Sequence, residues 1–148
     1  MKKLLLFLFP FLFISHQLNA TTYYSRVATG NWNAASWSTT SGGTATAYTI
    51  TSSDDIIIQT GNVITVNVAA VCNSITVNAP ATADGITINS GQSLTVSNAI
   101  TMNSPTAGVN STIAVGSGTL SAASIAIPGS STGSRNCIVS VSTGTITV

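Results

Sequence analysis

The sequence predicts an all-β protein, a right-handed parallel β-helix (β-solenoid) with three short strands in each coil of about 25–30 residues. Three observations predict it. Short segments recur at nearly constant spacing through residues 54–148. Each alternates apolar and small polar residues, the period of a strand with one side in a core. The aromatic residues that follow the first twenty positions all fall before this repeat, where an end cap belongs. A β-sandwich is the competing all-β architecture, and the register-matched Ile positions favour the solenoid.

Residues 1–20 read as an export signal. Lys2 and Lys3 form a basic start, and Leu4 to Ile14 is an apolar run interrupted only by Pro10. Leu18-Asn19-Ala20 is a small-residue cleavage site before Thr21. The run is shorter than the roughly 20 residues needed to cross a bilayer, and no later stretch reaches that length. Cleavage near Ala20 sends the chain to the outside or to the outer cell surface. An uncleaved amphipathic anchor is the alternative.

Residues 21–53 are expected to stand outside the repeat as the N-terminal cap, with Tyr23, Tyr24, Trp32, Trp37 and Tyr48 covering the apolar end of the first coil.

Residues 54–148 carry the repeat. Ile56-Ile57-Ile58 aligns with Ile86-Thr87-Ile88, Ile113-Ala114-Val115 and Val139-Ser140-Val141, at spacings of 30, 27 and 26 residues. A glycine follows each, and then a second strand: Val63–Val66, Leu94–Val96, Leu120–Ala122 and Ile146–Val148. A third series places Ile75, Ile100 and Ile125 25 residues apart. Stacked strands lie about 4.8 Å apart, with Ile, Val, Leu and Met inside and Thr, Ser and Ala outside. The last strand has no visible cap. An open C-terminal edge is therefore expected, available to more of the same chain or to self-association.

Composition excludes several functions. Lys2, Lys3 and His16 all lie in the export signal, so the remainder has Arg26 and Arg135 as its bases, Asp54, Asp55 and Asp84 as its acids, and no Glu. Ser–His–Asp and Cys–His nucleophiles, imidazole metal sites, Schiff-base lysines and Glu general acids are absent. Two arginines make no footprint for nucleic acid. Arg135 and Asp84 are expected two to three turns of chain apart and assemble no hydrolase or lyase site, so no enzyme activity and no cofactor is expected.

Tyr24-Ser25, Gly30-Asn31-Trp32-Asn33 and Ser36-Trp37-Ser38, followed by Asp54 to Val66 and Cys72 to Val77, resemble the opening module of large secreted bacterial surface proteins. The pattern is similar to the eight-glycine extracellular domain and covers about residues 23–103. The resemblance implies an extracellular module without catalytic residues, in proteins that often continue at length and end in a sorting domain.

Candidate sites follow from the alignment. Asp54 and Asp84 each precede an aligned Ile by two residues, which would stack them, with Asp55, about 5 Å apart on adjacent coils. Two carboxylates that close can share a Ca²⁺; the plainer reading has each Asp capping a turn. Trp32, Trp37, Tyr23 and Tyr24 are a platform for surface glycans if exposed, and a plug of the solenoid end if buried. Thr76 and Thr101 with Ala126, and Thr65 and Thr95 with Ser121 and Thr147, form two outward columns that could order water as ice does. Thr is also simply the polar residue that suits a β surface. Asn73 with Asn98, and Asn78 with Asn103, are expected as stacked amides at the bends. Cys72 and Cys137 would lie on the order of 12 Å apart, beyond the roughly 7 Å a disulfide spans, so two free, largely buried thiols are expected. The function expected is a non-catalytic structural or adhesive module; carbohydrate binding and ice binding are the alternatives.

Overall fold

The structure, a computed structural model, describes residues 19–78, 84–105, 109–128 and 136–148. Residues 1–18 of the expected export signal, and Arg135, lie outside these residues. The described residues form strands and no helix, and no helix is long and apolar enough to cross a membrane.

Alternation dictates the strands. In β4 (Asp55–Ile58), β5 (Val63–Val66) and β7 (Ser74–Val77) every second residue is buried and its neighbours face out. The buried set, Ile56, Ile58, Ile64, Val66, Ile75 and Val77, is at most 1% exposed. Burying each such side chain contributes roughly 1.5–3 kcal/mol. The same column continues through β8 (Asp84–Ile88), β9 (Ser93–Met102), β10 (Ser111–Val115) and β11 (Thr119–Ala126), where Ile86, Leu94, Ile100, Ile113 and Leu120 are also buried.

Two parallel sheets result. The larger runs β13 (Thr145–Thr147), β11, β9, β7, β4, β1 (Thr22–Ser25), β3 (Trp37–Ser38), with β6 (Ala70–Cys72) paired to β9 as well. The smaller runs β12 (Cys137–Val141), β10, β8, β5, β2 (Thr29–Asn31). Among the described residues, the one antiparallel pair of strands is β1–β3. β9 is long enough to hold two partners, pairing β6 through Leu94–Val96 and β7 through Ile100–Met102. Between these halves its register with β11 shifts, Val96 lying opposite Ala122 and Ala99 opposite Ser124. An extra residue there bends the strand. From β5 onward the chain visits the smaller sheet, the first half of the larger sheet, its second half, and the smaller sheet again. That order is compatible with a β-solenoid.

The expected register holds in the second half. Ile86, Ile113 and Val139 stand in one ladder, Leu94, Leu120 and Ile146 in another, and Ile75, Ile100 and Ile125 in a third. It fails before residue 70. Ile64, not Ile56, pairs with Ile86, while Ile56 pairs with Ile75. Ala70–Cys72, not Val63–Val66, lies beside Leu94–Val96. The cause is local turn chemistry. Gly61 (φ 83°) and Gly91 (φ 71°) both supply a left-handed turn residue between two strands, so the flanking sequences look alike. The β4–β5 turn leaves the larger sheet, whereas the β8–β9 turn enters it.

Residues 21–53 also depart from expectation, because part of the segment joins the sheets. β1 pairs with β4, placing Tyr23 beside Ile56, and β2 pairs with β5, placing Gly30 beside Ile64. Only β3, running antiparallel on β1, closes an edge in the manner of a cap.

Candidate functional site

The aromatic residues are interior. Trp37 is 0% and Trp32 4% exposed; their rings meet edge to face at 5.3 Å, and Trp37 Nε1 donates to Trp32 O at 2.7 Å. Tyr23 is buried and its ring lies 5.0 Å from that of Tyr48, while Tyr24 is half-buried. A platform for glycans needs exposed faces, so of the two readings open in the sequence the burial of Trp32, Trp37 and Tyr23 agrees with the plug. Burial, then the charge of Asp54, raises the Tyr23 phenol above its ordinary value.

The acidic column is also corrected. Asp55 belongs to β4 in the larger sheet and Asp84 to β8 in the smaller, and their ladders never meet. In the smaller sheet, Asp84 pairs with Ser111. Among the described residues no group of three or more His, Cys, Asp or Glu side chains gathers to hold a metal. Asp54 instead organises the entry to β4. Its Oδ1 accepts from Thr21 N at 3.0 Å, and its Oδ2 from Thr51 N and Thr51 Oγ1, each at 2.7 Å. Burial pushes its pKa up, but the hydrogen bonds from Thr51 and Thr21 outweigh burial, and the net shift is downward.

Asp55 begins a polar ladder on the bend. Asp55 Oδ1 accepts from Asn73 Nδ2 at 2.8 Å and Ser74 Oγ at 2.6 Å, and Asn73 Oδ1 accepts from Asn98 Nδ2 at 2.7 Å. A second amide pair joins Asn103 Nδ2 to Asn78 Oδ1 at 3.5 Å. These are the stacked amides read from the sequence. Their neighbouring main-chain groups bond along the same direction, Asn73 N to Asp54 O at 2.7 Å and Asn98 N to Asn73 O at 2.8 Å.

The outward hydroxyl columns are partly as expected. Thr76, Thr101 and Ala126 are in register. Thr65 is not in the Thr95 column: it pairs with Asn31 and Thr87 in the smaller sheet, and Val71 takes its expected place beside Thr95. The Thr95, Ser121 and Thr147 part of that column is in register as read, and a further column beside it escaped the sequence reading. Ser93, Thr119 and Thr145 form one ladder and Thr95, Ser121 and Thr147 the next, on the same face of β9, β11 and β13. All but Ser93 are exposed. The signal was available: each column lies one residue to either side of the aligned Leu94, Leu120 and Ile146.

The thiols differ. Cys72 is fully buried, and burial, with the charges of Asp55 and Asp54, pushes its pKa up to about 12. Cys137 is half-buried, contacts Asn103 O through Sγ at 3.5 Å, and is raised by burial alone. Both are free and belong to different sheets. Cys137 is thus less enclosed than expected.

A groove of about 340 Å³ opens between residues 47–50 and 68–71, with Trp32 and Asn33 also lining it. No charged side chain lines it. No protein-family model, curated protein or solved structure matches the chain.

Proposed function

We propose that the chain is a non-catalytic, exported structural or adhesive module, built as a right-handed β-solenoid with three strands per turn. The observation that carries this reading is the outward surface: Ser, Thr and Asn ladders run from strand to strand with almost no charge, and the few described charged groups serve the fold. Asp54 holds Thr21 and Thr51, and Arg26 donates to Gly43 O and Gln59 Oε1, both at 2.8 Å. The resemblance to the eight-glycine extracellular module agrees with it, as does the signal-like start of the sequence. Self-association belongs to the same reading, with Val141 on β12 48% exposed. The test is to follow the protein by fractionation and to apply the purified material to cell envelopes and to a polysaccharide panel. Recovery outside the cell, with envelope binding and no cleavage of any polysaccharide, is the expected result. Retention in the cytoplasm, or turnover of a polysaccharide, would refute the reading.

A second reading is favoured by the hydroxyl array of Ser93, Thr119, Thr145, Thr95, Ser121 and Thr147. Strands about 4.8 Å apart, with same-face residues about 6.6–6.8 Å apart along each strand, make a regular lattice of hydroxyl and methyl groups suited to ordering water as ice. Thermal hysteresis that disappears in a Thr95→Lys, Ser121→Lys variant supports it. Hysteresis equal in the variant, or absent from the parent, removes it.

A further inference from the structure

The groove beside β6 has the form of a strand position without a strand. In the half-sheet β13–β11–β9–β6, every strand but β6 and β13 has a neighbour on both sides. Among the described residues β6 pairs with β9 alone, so one edge of Ala70–Cys72 lacks a ladder partner. The chain segment that would next occupy this column, residues 47–50, lies across the groove as irregular backbone. Trp37 and Thr46 hold its start through a pair of main-chain hydrogen bonds, and Thr51 and Asp54 hold its end. In between, Ala47, Tyr48, Thr49 and Ile50 make no hydrogen bond to any described residue, and neither do Val68 and Ala69. Both long walls of the groove therefore carry main-chain donors and acceptors that the fold does not use.

We propose that this groove binds an extended, uncharged peptide segment by strand addition, the peptide pairing with the open edge of β6 and extending the β13–β11–β9–β6 half-sheet. The chemistry of the walls selects the ligand class. A row of unused N–H and C=O groups is matched by another main chain, and alternate side chains of that chain then supply selectivity. The lining offers Ile50 and Ala70, both buried, to the inward side chains, and the exposed Ala47, Ala69 and Val71 to the outward ones. No lysine, arginine or carboxylate is present to pair with a charged ligand, so charged residues entering the groove would lose water without gaining a partner. At about 3.3 Å per residue, β6 and its flanks accommodate four or five residues of ligand. A sugar is the poorer match, because Trp32 is buried and Tyr48 leans on Tyr23 rather than presenting a free face. The proposal does not rest on the adhesive reading; a groove of this kind would serve a structural or an ice-binding protein equally.

The test uses the isotope-labelled protein and peptides of seven uncharged residues selected against it from a random library. Amide resonances of Ala47–Ile50 and Val68–Cys72 are expected to shift together, with slowed hydrogen exchange at β6. The same peptide with alternate main-chain nitrogens methylated should bind at least tenfold more weakly, since it keeps its side chains and loses its donors. Ala69→Trp, placed to fill the groove from an exposed position, should weaken binding at least tenfold while leaving the thermal unfolding midpoint unchanged. If that variant does not fold, the methylated peptide decides. Failure of every library peptide to move these amides at millimolar concentration would overturn the proposal. So would undiminished binding of the methylated peptide, or oligosaccharides moving the same resonances in place of peptides. Protection of the Ala47–Ile50 amides before any ligand is added would mean that the protein's own segment closes the edge, and would overturn it equally.

Discussion

The two ends of the strand stack solve the same problem differently. At the N-terminal end, β3 turns antiparallel across β1 and carries Trp37, which is 0% exposed and packs edge to face on Trp32 at 4% exposure. At the other end of the described residues, β12 and β13 each have one ladder neighbour, and the positions aligned with buried Ile and Val are open: Val141 is 48% exposed, and Val139 and Ile146 are only half-buried. The apolar pattern is alike at both ends. Burial therefore comes from having a neighbour on each side rather than from the alternation itself, and stabilising contacts should be concentrated toward the aromatic end and the middle strands.

Trp37→Ala gives the largest expected effect. Removing a fully buried indole leaves a cavity and an unpaired Trp32 carbonyl, a cost of about 3–5 kcal/mol read as a lower denaturant midpoint. Val148→Ala, at the opposite end, should change stability by less than about 0.5 kcal/mol. Equal effects would break the contrast. Within one ladder, Ile100→Ala should cost about 2–5 kcal/mol. Ile146→Ala, half-buried on β13, should cost clearly less in the same titration.

Asp54→Asn tests the entry to β4. The change weakens three hydrogen bonds to a carboxylate that is 5% exposed, and about 1–3 kcal/mol is expected at neutral pH. Because the folded pKa of Asp54 is lowered, its contribution is complete above the unfolded value of about 3.9 and is lost as pH falls through the lower folded value. Stability measured from pH 6 to pH 2 should thus fall less steeply in the variant than in the parent. The smallest effect is kinetic. A thiol reagent should modify Cys137 in the folded protein and reach Cys72 only on unfolding, because Cys72 is sealed and its pKa stands at about 12. Equal rates would show that the middle of the stack opens as readily as its end.

What was legible in the sequence follows the same division. From residue 84 onward, Ile86, Leu94, Ile100 and their successors could be placed in register from sequence alone, because equivalent strands there sit at equivalent corners. Before residue 70 the alignment matched Ile56–Gly61 with Ile86–Gly91 on local resemblance, and local resemblance reports the glycine turn rather than the sheet it enters. That single slip misplaced Thr65 and brought Asp54 falsely beside Asp84. The burial of both tryptophans was one of two readings open in the sequence, and their exposures of 0% and 4% agree with it. The groove beside β6 was not legible, since Tyr48-Thr49-Ile50-Thr51 alternates apolar and polar residues as a strand would, yet the segment runs as irregular backbone along the groove.

The measurement that tests the stacked-strand account most directly is spin-label proximity on a Cys137→Ser background, with Cys72 left in place because no label reaches it. Labels at Thr95 and Ser121, neighbours in register on β9 and β11, should show strong dipolar broadening. Labels at Thr65 and Thr95, which lie in different sheets, should not. Broadening of the Thr65–Thr95 pair, with none between Thr95 and Ser121, would contradict the strand order on which the account stands.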